Sequence, residues 1–221
     1  MKFQAERQRV VEVSRALADR GYFAATGGNL ALRIDAEHIA VTPSATDYQV
    51  MEAADVCVLR LADLAKVDGE RKPSVESGMH AQILRARRDC QASVHTHQPA
   101  ASACTLLGHA LTVDEPEHRR LLGPEVPLVG YAPSGTSWLS GKLARALRPD
   151  INAYLLRTHG AICCGTSLDA TLLALVALES LALNQLRTRI ASRLAGQRTP
   201  DGALQRLLDT IEAHPVQDVI A

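Results

Sequence analysis

The hydrophobic residues of this chain recur with two periods, one typical of helices and one typical of strands. Residues 3 to about 20 carry Val10, Val11 and Leu17 among charged residues and stop before Gly21, as an amphipathic helix does. Short apolar stretches of strand length follow at 30–34, 38–42, 56–59, 92–97, 126–129, 153–156 and 162–163. The pattern therefore predicts short strands with helices between them.

Capping residues indicate where two further helices begin. Ser74 is a natural N-cap for a helix that carries Met79 and Leu84 at helical spacing. Ser167 is an N-cap for a long, apolar helix that we expect to run to about residue 194. Both helices are expected to pack against the strands.

The remaining segments complete an α/β architecture. An amphipathic segment covers 204–211, whereas the polar stretches 63–72 and 114–118 are expected to be a turn and a loop. No repeat, low-complexity stretch or linker interrupts the chain. We therefore expect a single domain over 1–221, with three layers in which helices flank a mostly antiparallel central sheet.

Composition and charge narrow the class of protein. The chain has 221 residues, of which 47% are hydrophobic and 22% are charged, as in an ordinary soluble protein. Lys plus Arg and Asp plus Glu are equal at 24 each. A nucleic-acid-binding or anionic-membrane-binding surface normally needs a basic surplus, so we expect neither kind of partner.

Cysteine usage and the apolar segments predict a cytoplasmic protein. The cysteines are odd in number, lack a CxxC pair and are expected to be small buried hydrophobes: Cys57, Cys90, Cys104, Cys163 and Cys164. The first residues lack the apolar stretch of a signal peptide. The longest apolar run, 170–183, is short for a bilayer and contains Glu179, so we expect a buried helix.

Two histidines at the end of a predicted strand carry the strongest chemical signal. Side chains two positions apart in a strand share one face, so His95 and His97 project together and can bind one divalent cation. Catalytic zinc sites use three protein ligands, and His159, at a turn that Gly160 permits, is the best third candidate. A strand histidine often just hydrogen-bonds a neighbour, but a second strand that ends in histidine favours a metal.

Other polar residues have both a structural and a functional interpretation. Glu76 lies in the first turn after Ser74, where a helix dipole favours a carboxylate, and His80 shares its face one turn later. The pair Gly27-Gly28 forms either a plain turn or a nest for an anion. The hydroxyl-rich loop 43–47 is either solvated or lines a polar pocket.

Several short motifs, taken together and in this order, resemble the class II aldolase/adducin family. The motifs are Thr26-Gly27-Gly28-Asn29, Thr42-Pro43-Ser44, Pro73-Ser74-Val75-Glu76 with His80, His95-Thr96-His97, Tyr131-Ala132-Pro133 and His159-Gly160. Each motif is weak alone, but their order and separations identify the family. The resemblance covers roughly residues 5 to 195.

The resemblance implies a function and a set of site residues. It implies a divalent metal, Zn²⁺ or else Mn²⁺ or Co²⁺, bound by His95, His97 and His159, with Glu76 as the catalytic acid/base. The phosphate of a sugar phosphate is expected to contact four residues: Gly28, Asn29, Ser44 and Ser74. Members of the family are usually homotetramers with active sites at subunit interfaces, so we expect the same assembly here.

Two departures from the family pattern affect the expected chemistry. The family places a tyrosine from a neighbouring subunit, used as a proton donor, in the loop that corresponds to 114–118. This loop has no tyrosine, and the possible replacements are Glu115, Glu117 and His118. Val75 and Ala45 replace a serine and a glycine of the phosphate pocket, so the substrate is either a differently shaped sugar phosphate or an unphosphorylated hydroxy-carbonyl compound.

These observations leave three functions open. The first is reversible retro-aldol cleavage of a ketose 1-phosphate, L-fuculose-phosphate-like, to dihydroxyacetone phosphate and an aldehyde, with Lewis-acidic zinc as the electron sink. The second uses the same metal site for sugar-phosphate dehydration, of the methylthioribulose-phosphate type, for epimerisation or for decarboxylation. The third is a non-catalytic adducin-like scaffold, which the retained histidines and Glu76 argue against.

Overall fold

The centre of the fold is an eight-stranded sheet, seen in a computed structural model that describes residues 2–25, 27–196, 202–213 and 216. Its strands, which follow the predicted apolar stretches except at β4, are β1 Asn29–Arg33, β2 His38–Val41, β3 Cys57–Arg60, β4 Lys66–Asp68, β5 Ala92–Thr96, β8 Leu128–Val129, β9 Ala153–Leu156 and β10 Gly160–Gly165. A separate small pair is formed by β6 Leu111–Thr112 and β7 Glu125–Val126.

The sheet is mixed, which corrects the expectation of a mostly antiparallel sheet. The parallel pair lies at one edge. The strand order is β4-β3-β2-β1-β5-β10-β9-β8. Neighbours from β4 to β9 pair in antiparallel orientation, whereas β8 pairs with β9 in parallel. The chain between β8 and β9 includes a crossover helix, and a connection of that kind returns the chain in the same direction.

Helices lie between several of the strands, as the sequence pattern predicts. In the described residues they are α1 Gln4–Asp19, α2 Ser77–Ala86, α3 Pro99–Cys104, α4 Pro116–Leu122, α5 Ser137–Ala146, α6 Leu168–Ala195 and α7 Gly202–Glu212. The predicted amphipathic first helix is confirmed as α1. The predicted long helix is confirmed as α6, which Ser167 caps by accepting a hydrogen bond from the Ala170 amide.

Three local predictions were wrong. The stretch 63–72 contains β4, because pairing with β3 supplies its backbone hydrogen bonds. The predicted loop 114–118 leads into α4, which begins at Pro116, a residue suited to a first helical turn. Ser74 is not the N-cap of α2, since its hydroxyl accepts from the Glu76 amide in a preceding turn and the helix begins at Ser77.

Two hydrophobic cores lie on opposite faces of the sheet and confirm the layered α/β class. Adjacent strand residues alternate between them: Leu30 packs into the core formed with α1, α3 and α6, whereas Ala31 packs into the core formed with α2 and α5. Leu155 and Leu156 alternate in the same way. All five cysteines are buried and free, as expected of small hydrophobic residues.

Glu179 gives the long helix α6 a structural role that its apolar sequence does not indicate. The helix is long and apolar enough to cross a membrane, but 61% of its most apolar window is buried inside the fold. The Glu179 carboxylate, 4% exposed, accepts hydrogen bonds from the amides of Ala100 at 2.7 Å and Ala101 at 3.0 Å. It thereby caps the buried N-terminus of α3, which follows the strand that carries His95.

We expect Glu179→Ala to lower the free energy of unfolding by about 3 kcal/mol, because it leaves two buried amides without an acceptor. Urea unfolding followed by circular dichroism measures this loss. The control Glu12→Ala removes a half-exposed carboxylate of α1 and should change the free energy by about 0.5 kcal/mol or less. Equal effects of the two substitutions would contradict the capping role.

Candidate metal centre and active site

Three histidines converge at the ends of interior strands of the sheet. His95 is the next-to-last residue of the buried strand β5, His97 follows the strand, and His159 lies in the turn between β9 and β10. The Nε2 atoms of His95 and His97 are 3.0 Å apart, and one ring nitrogen from each of the three lies within 4.8 Å of the others. The structure thus brings together the three residues proposed from the sequence as metal ligands.

Two glycines make room for this cluster. A Cβ atom on Gly27 would lie 2.8 Å from Nδ1 of His97. A Cβ atom on Gly160 would lie 2.4 Å from the Thr96 carbonyl oxygen and 2.8 Å from the His97 ring. Gly160 is therefore needed for close packing, whereas the turn before it is made by Thr158, whose φ of 56° is in the left-handed region. Thr26, the first residue of the predicted glycine motif, lies outside the described residues.

The chemistry of the cluster fits a divalent cation. The Nδ1 atom of His95 donates to the Ala161 carbonyl at 2.8 Å, which leaves the Nε2 lone pair directed at the cluster. Burial lowers the pKa of His95 to about 3, so the ring is in the neutral form that binds metals. Zinc–imidazole bonds of about 2.1 Å place two tetrahedral ligands about 3.4 Å apart, within the range spanned by these nitrogens.

Glu76 lies against the cluster and is held on both of its oxygens. Its Oε2 accepts from Asn29 Nδ2 and its Oε1 from Ser134 Oγ, each at 2.7 Å. Oε2 is also 3.3 Å from His95 Nε2, and Oε1 is 3.3 Å from His159 Nε2. Burial opposes ionisation, but the charge that His95 acquires in the acid range and the two hydrogen bonds outweigh burial and lower the pKa of Glu76. The carboxylate is therefore ionised at neutral pH.

His80 supports the Glu76 carboxylate indirectly, through Asn29. It is completely buried, and its ring nitrogens contact Ser93 Oγ at 2.9 Å and Asn29 Oδ1 at 2.7 Å. Burial lowers the pKa of His80 to about 4, so the ring is neutral at pH 7. His80 therefore lies one hydrogen bond behind Asn29, which in turn contacts Glu76.

The four residues expected to bind phosphate line the same small pocket as Glu76, His97 and His159. They are Gly28, Asn29, Ser44 and Ser74, and the pocket has a volume of about 170 Å³. A β-bridge between Pro43 and Pro73 holds the two serine loops side by side. The Asn29 side chain is already bound to Glu76 and His80, which leaves one Nδ2 hydrogen for another acceptor.

The two pocket residues that depart from the family pattern are also placed by the structure. Ala45 has a φ of 48°, a conformation that favours glycine, and it lines the pocket. Val75 is 66% exposed and also lines the pocket, beside Gly135. The structure thus retains the backbone turn at residue 45 without the glycine and presents an apolar side chain where the family has a hydroxyl.

The three possible proton donors are not among the residues that line this pocket. Glu115 precedes α4, and Glu117 and His118 lie in its first turn. His118 Nδ1 lies 3.1 Å from a Glu115 carboxylate oxygen, whereas the Glu117 side chain is 72% exposed. Within one chain these residues do not meet Glu76.

Ser134 and Tyr48 are pocket residues that the sequence analysis missed. Ser134 donates to Glu76, and the Tyr48 hydroxyl donates to the Gly28 carbonyl at 2.5 Å. Ser134 directly follows the Tyr131-Ala132-Pro133 motif, and that position is the signal from which it could have been found. Tyr48 carries no comparable signal, since its partner is a backbone carbonyl 20 residues earlier.

A larger groove of about 750 Å³ lies elsewhere and is lined by Arg33, Arg60, Arg85 and Arg88. Three of these arginines make hydrogen bonds or ion pairs within the protein. Arg33 donates to the Cys90 carbonyl, Arg85 donates to the Leu61 carbonyl, and Arg60 pairs with Asp63. The smaller pocket is where potential metal ligands and a buried carboxylate meet.

The low pKa of His80 makes stability depend on pH. In the unfolded chain this histidine binds a proton near pH 6.5, whereas in the folded protein it does so only near pH 4. The free energy of unfolding of the metal-free protein should therefore fall as the pH falls from 6.5 to 4, with up to about 3 kcal/mol of the loss due to His80. Urea unfolding at pH 7.5 and pH 4.5 should show a smaller loss for His80→Gln. An equal loss in the two proteins would contradict the assignment.

Comparison with known proteins agrees with this geometry. Residues 8–186 match the family described as the class II aldolase and adducin N-terminal domain. The chain is 34% identical over 166 residues to 5-deoxy-D-ribulose 1-phosphate aldolase of Bacillus thuringiensis, covering 73% of this chain and 75% of that protein. It is 29% identical to methylthioribulose-1-phosphate dehydratase of Yersinia pestis, covering 79% and 83%.

A solved structure supports the same relationship. The L-fuculose-1-phosphate aldolase of Thermus thermophilus superimposes with a TM-score of 0.71 at 26% identity, covering 88% of this chain and 100% of that chain. The family match spans the described site from Gly27 to His159, with both the histidine cluster and Glu76 inside it. This chain therefore belongs to the class II aldolase and adducin family.

Proposed function

We propose that this protein is a divalent-metal-dependent lyase that cleaves a ketose 1-phosphate to dihydroxyacetone phosphate and an aldehyde. The observation that carries the proposal is the contact of Glu76 with His95 and His159, each at 3.3 Å, inside one pocket. A carboxylate held beside three imidazoles suits proton transfer next to a metal-binding site. A scaffold needs no such arrangement.

His95, His97 and His159 would hold the cation, with Zn²⁺ as the first choice and Mn²⁺ or Co²⁺ as alternatives. When bound, it supplies a Lewis acid that polarises the carbonyl group of the substrate. The three imidazoles leave at least one position open, as in catalytic rather than structural zinc sites. The histidine cluster of this structure supports the ligand set, and the identity of the metal is part of the proposal.

Glu76 is proposed as the acid/base for the carbon next to the carbonyl. In the cleavage, the hydroxyl proton on the far carbon leaves, the carbon–carbon bond breaks, and its electron pair moves toward the carbonyl. The carbon left behind then takes a proton from Glu76. Because this carboxylate is ionised in the free protein, it would first take up that proton from water or from the substrate hydroxyl, and in the reverse reaction it would remove the proton from carbon. Asn29 and Ser134 hold the carboxylate in one orientation for this transfer.

The hydroxyl proton that is lost as the aldehyde forms needs a separate group to accept it. The proposed groups remain Glu115, Glu117 and His118 of a neighbouring subunit, one of which would accept this proton in the cleavage and donate it in the reverse reaction. Exposed Tyr131 and Trp138, at 55% and 56%, support an interface near the pocket, because each lies close in sequence to Ser134. We therefore propose a homotetramer with active sites between subunits. The free, buried cysteines support the proposal that the protein is located in the cytoplasm.

Substrate phosphate is proposed to bind through Gly28, Asn29, Ser44 and Ser74. No lysine or arginine is among the described residues that line the pocket, so hydroxyl and amide donors would provide the binding. The relative that acts on 5-deoxy-D-ribulose 1-phosphate makes a short, deoxygenated ketose 1-phosphate the first substrate to test. The dehydratase relative favours one alternative, loss of water from a methylthioribulose-type phosphate at the same site.

Removing a ligand or the proposed base should separate metal binding from catalysis. We expect His95→Ala to lose bound metal, measured by elemental analysis, together with activity. Glu76→Gln should retain close to one metal per chain while kcat falls by about two to four orders of magnitude, the usual contribution of a positioned acid/base. The matched controls are His38→Ala and Glu12→Gln, which lie outside the pocket and should leave both quantities near wild type. Full activity of the metal-free protein would contradict the mechanism.

Product identity tests the reaction itself. With zinc, cobalt or manganese added, we expect 5-deoxy-D-ribulose 1-phosphate or L-fuculose 1-phosphate to release dihydroxyacetone phosphate, detected by its coupled reduction to glycerol phosphate. A chelator should stop the release. If the product has lost water and no dihydroxyacetone phosphate forms, the reaction is dehydration and not cleavage. The absence of bound metal under every loading condition would favour the scaffold.

A further inference from the structure

A chain of hydrogen bonds runs from the sheet to the proposed base. Ser93 of β5 contacts His80 at 2.9 Å, His80 contacts Asn29 at 2.7 Å, and Asn29 contacts Glu76 at 2.7 Å. Each of the four residues is less than one-tenth exposed, so water does not compete for these contacts. The chain joins α2, β5 and β1, which are the elements that surround the site.

The donors and acceptors of this chain follow from Glu76. An ionised carboxylate only accepts hydrogen bonds, so the atom of Asn29 that contacts it is Nδ2 and the other atom is the carbonyl oxygen Oδ1. Oδ1 also only accepts, so the contacting Nε2 of His80 carries the proton. Nδ1 of the neutral ring is then an acceptor, and the Ser93 hydroxyl donates to it. Each residue of the chain therefore donates its hydrogen bond to the next one, from Ser93 to the Glu76 carboxylate.

We propose that His80 is a positioning residue for the reaction: as the Nε2–H tautomer, it fixes the Asn29 amide so that Asn29 donates to Glu76 and aligns its carboxylate. The inference rests on the proposed role of Glu76 as acid/base. Without the N–H donor of His80, the Asn29 amide can rotate so that Oδ1 faces the Glu76 carboxylate. The two oxygen groups then repel each other, and the carboxylate loses its alignment. His80 itself does not line the pocket, so it acts through Asn29.

The burial of His80 shows why a histidine suits this position. The side chain at this position in the first turn of α2 must accept a hydrogen bond from Ser93 and donate one to Asn29. A neutral imidazole does both from opposite nitrogens of one rigid ring. Burial keeps the ring neutral, which preserves the acceptor at Nδ1. Glutamine also offers one acceptor and one donor, whereas leucine fills space without either.

The experiment compares His80→Leu, His80→Gln and wild-type holoenzyme. For His80→Leu we expect kcat to fall about 100-fold, the effect of a small misplacement of a catalytic group, with KM changed by less than about threefold. Metal content should stay near one per chain. His80→Gln should recover kcat to within about threefold of wild type, and Ser93→Ala should lose less activity than His80→Leu. A purely packing role would favour leucine over glutamine, and that result would overturn the proposal.

A second measurement does not depend on activity. Nitrogen-15 NMR of the histidine rings in the wild-type protein should show His80 protonated at Nε2 and not at Nδ1. The Asn29 side-chain amide resonances should shift in His80→Leu and return toward wild type in His80→Gln. An Nδ1–H tautomer of His80, or unchanged Asn29 resonances in His80→Leu, would overturn the inference. Because this readout needs no substrate, it still decides the role of His80 if wild type cleaves none of the ketose phosphates.

Discussion

The contact between Glu76 and the imidazoles of His95 and His159 is the interaction on which the site depends. A carboxylate that is only 6% exposed needs partners for both of its oxygens, or its ionised form would be costly. Asn29 and Ser134 provide these partners, so the side chain stays charged in a nearly dry setting. The neighbouring His95 ring remains neutral, which keeps its nitrogen available as a ligand.

The sheet explains why these groups meet. The central strands β1, β5 and β10 place Asn29 and Ile162 on either side of His95. The period of two along β5 puts Ser93 and His95 on the face covered by α2, from which His80 reaches the strand. Glu179, on the opposite face, caps α3 and so stabilises the chain directly after the histidines. The geometry of the site is thus a consequence of both layers of helices.

Much of this arrangement could be predicted from the sequence. The spacing of His95 and His97 predicted a shared face, and the second strand before His159 predicted the third member of the cluster. The start of α2 was misplaced because Ser74 is a good local cap, whereas the protein uses its hydroxyl in a turn that brings Glu76 to the histidines. The role of Asn29 was also only partly predicted, because its contacts with His80 and Glu76 join residues 51 and 47 positions away. The parallel edge strand and the cap at Glu179 likewise depend on tertiary packing, which local patterns do not encode.

X-ray absorption spectroscopy at the zinc edge of the zinc-loaded protein tests the central claim most directly. The account predicts three imidazole nitrogens at about 2.0–2.1 Å around each zinc ion, with oxygen in the remaining position and no sulfur. All five cysteines are buried, so a sulfur ligand would require a different site. A spectrum with sulfur at about 2.3 Å, or with fewer than three imidazoles, would contradict the account.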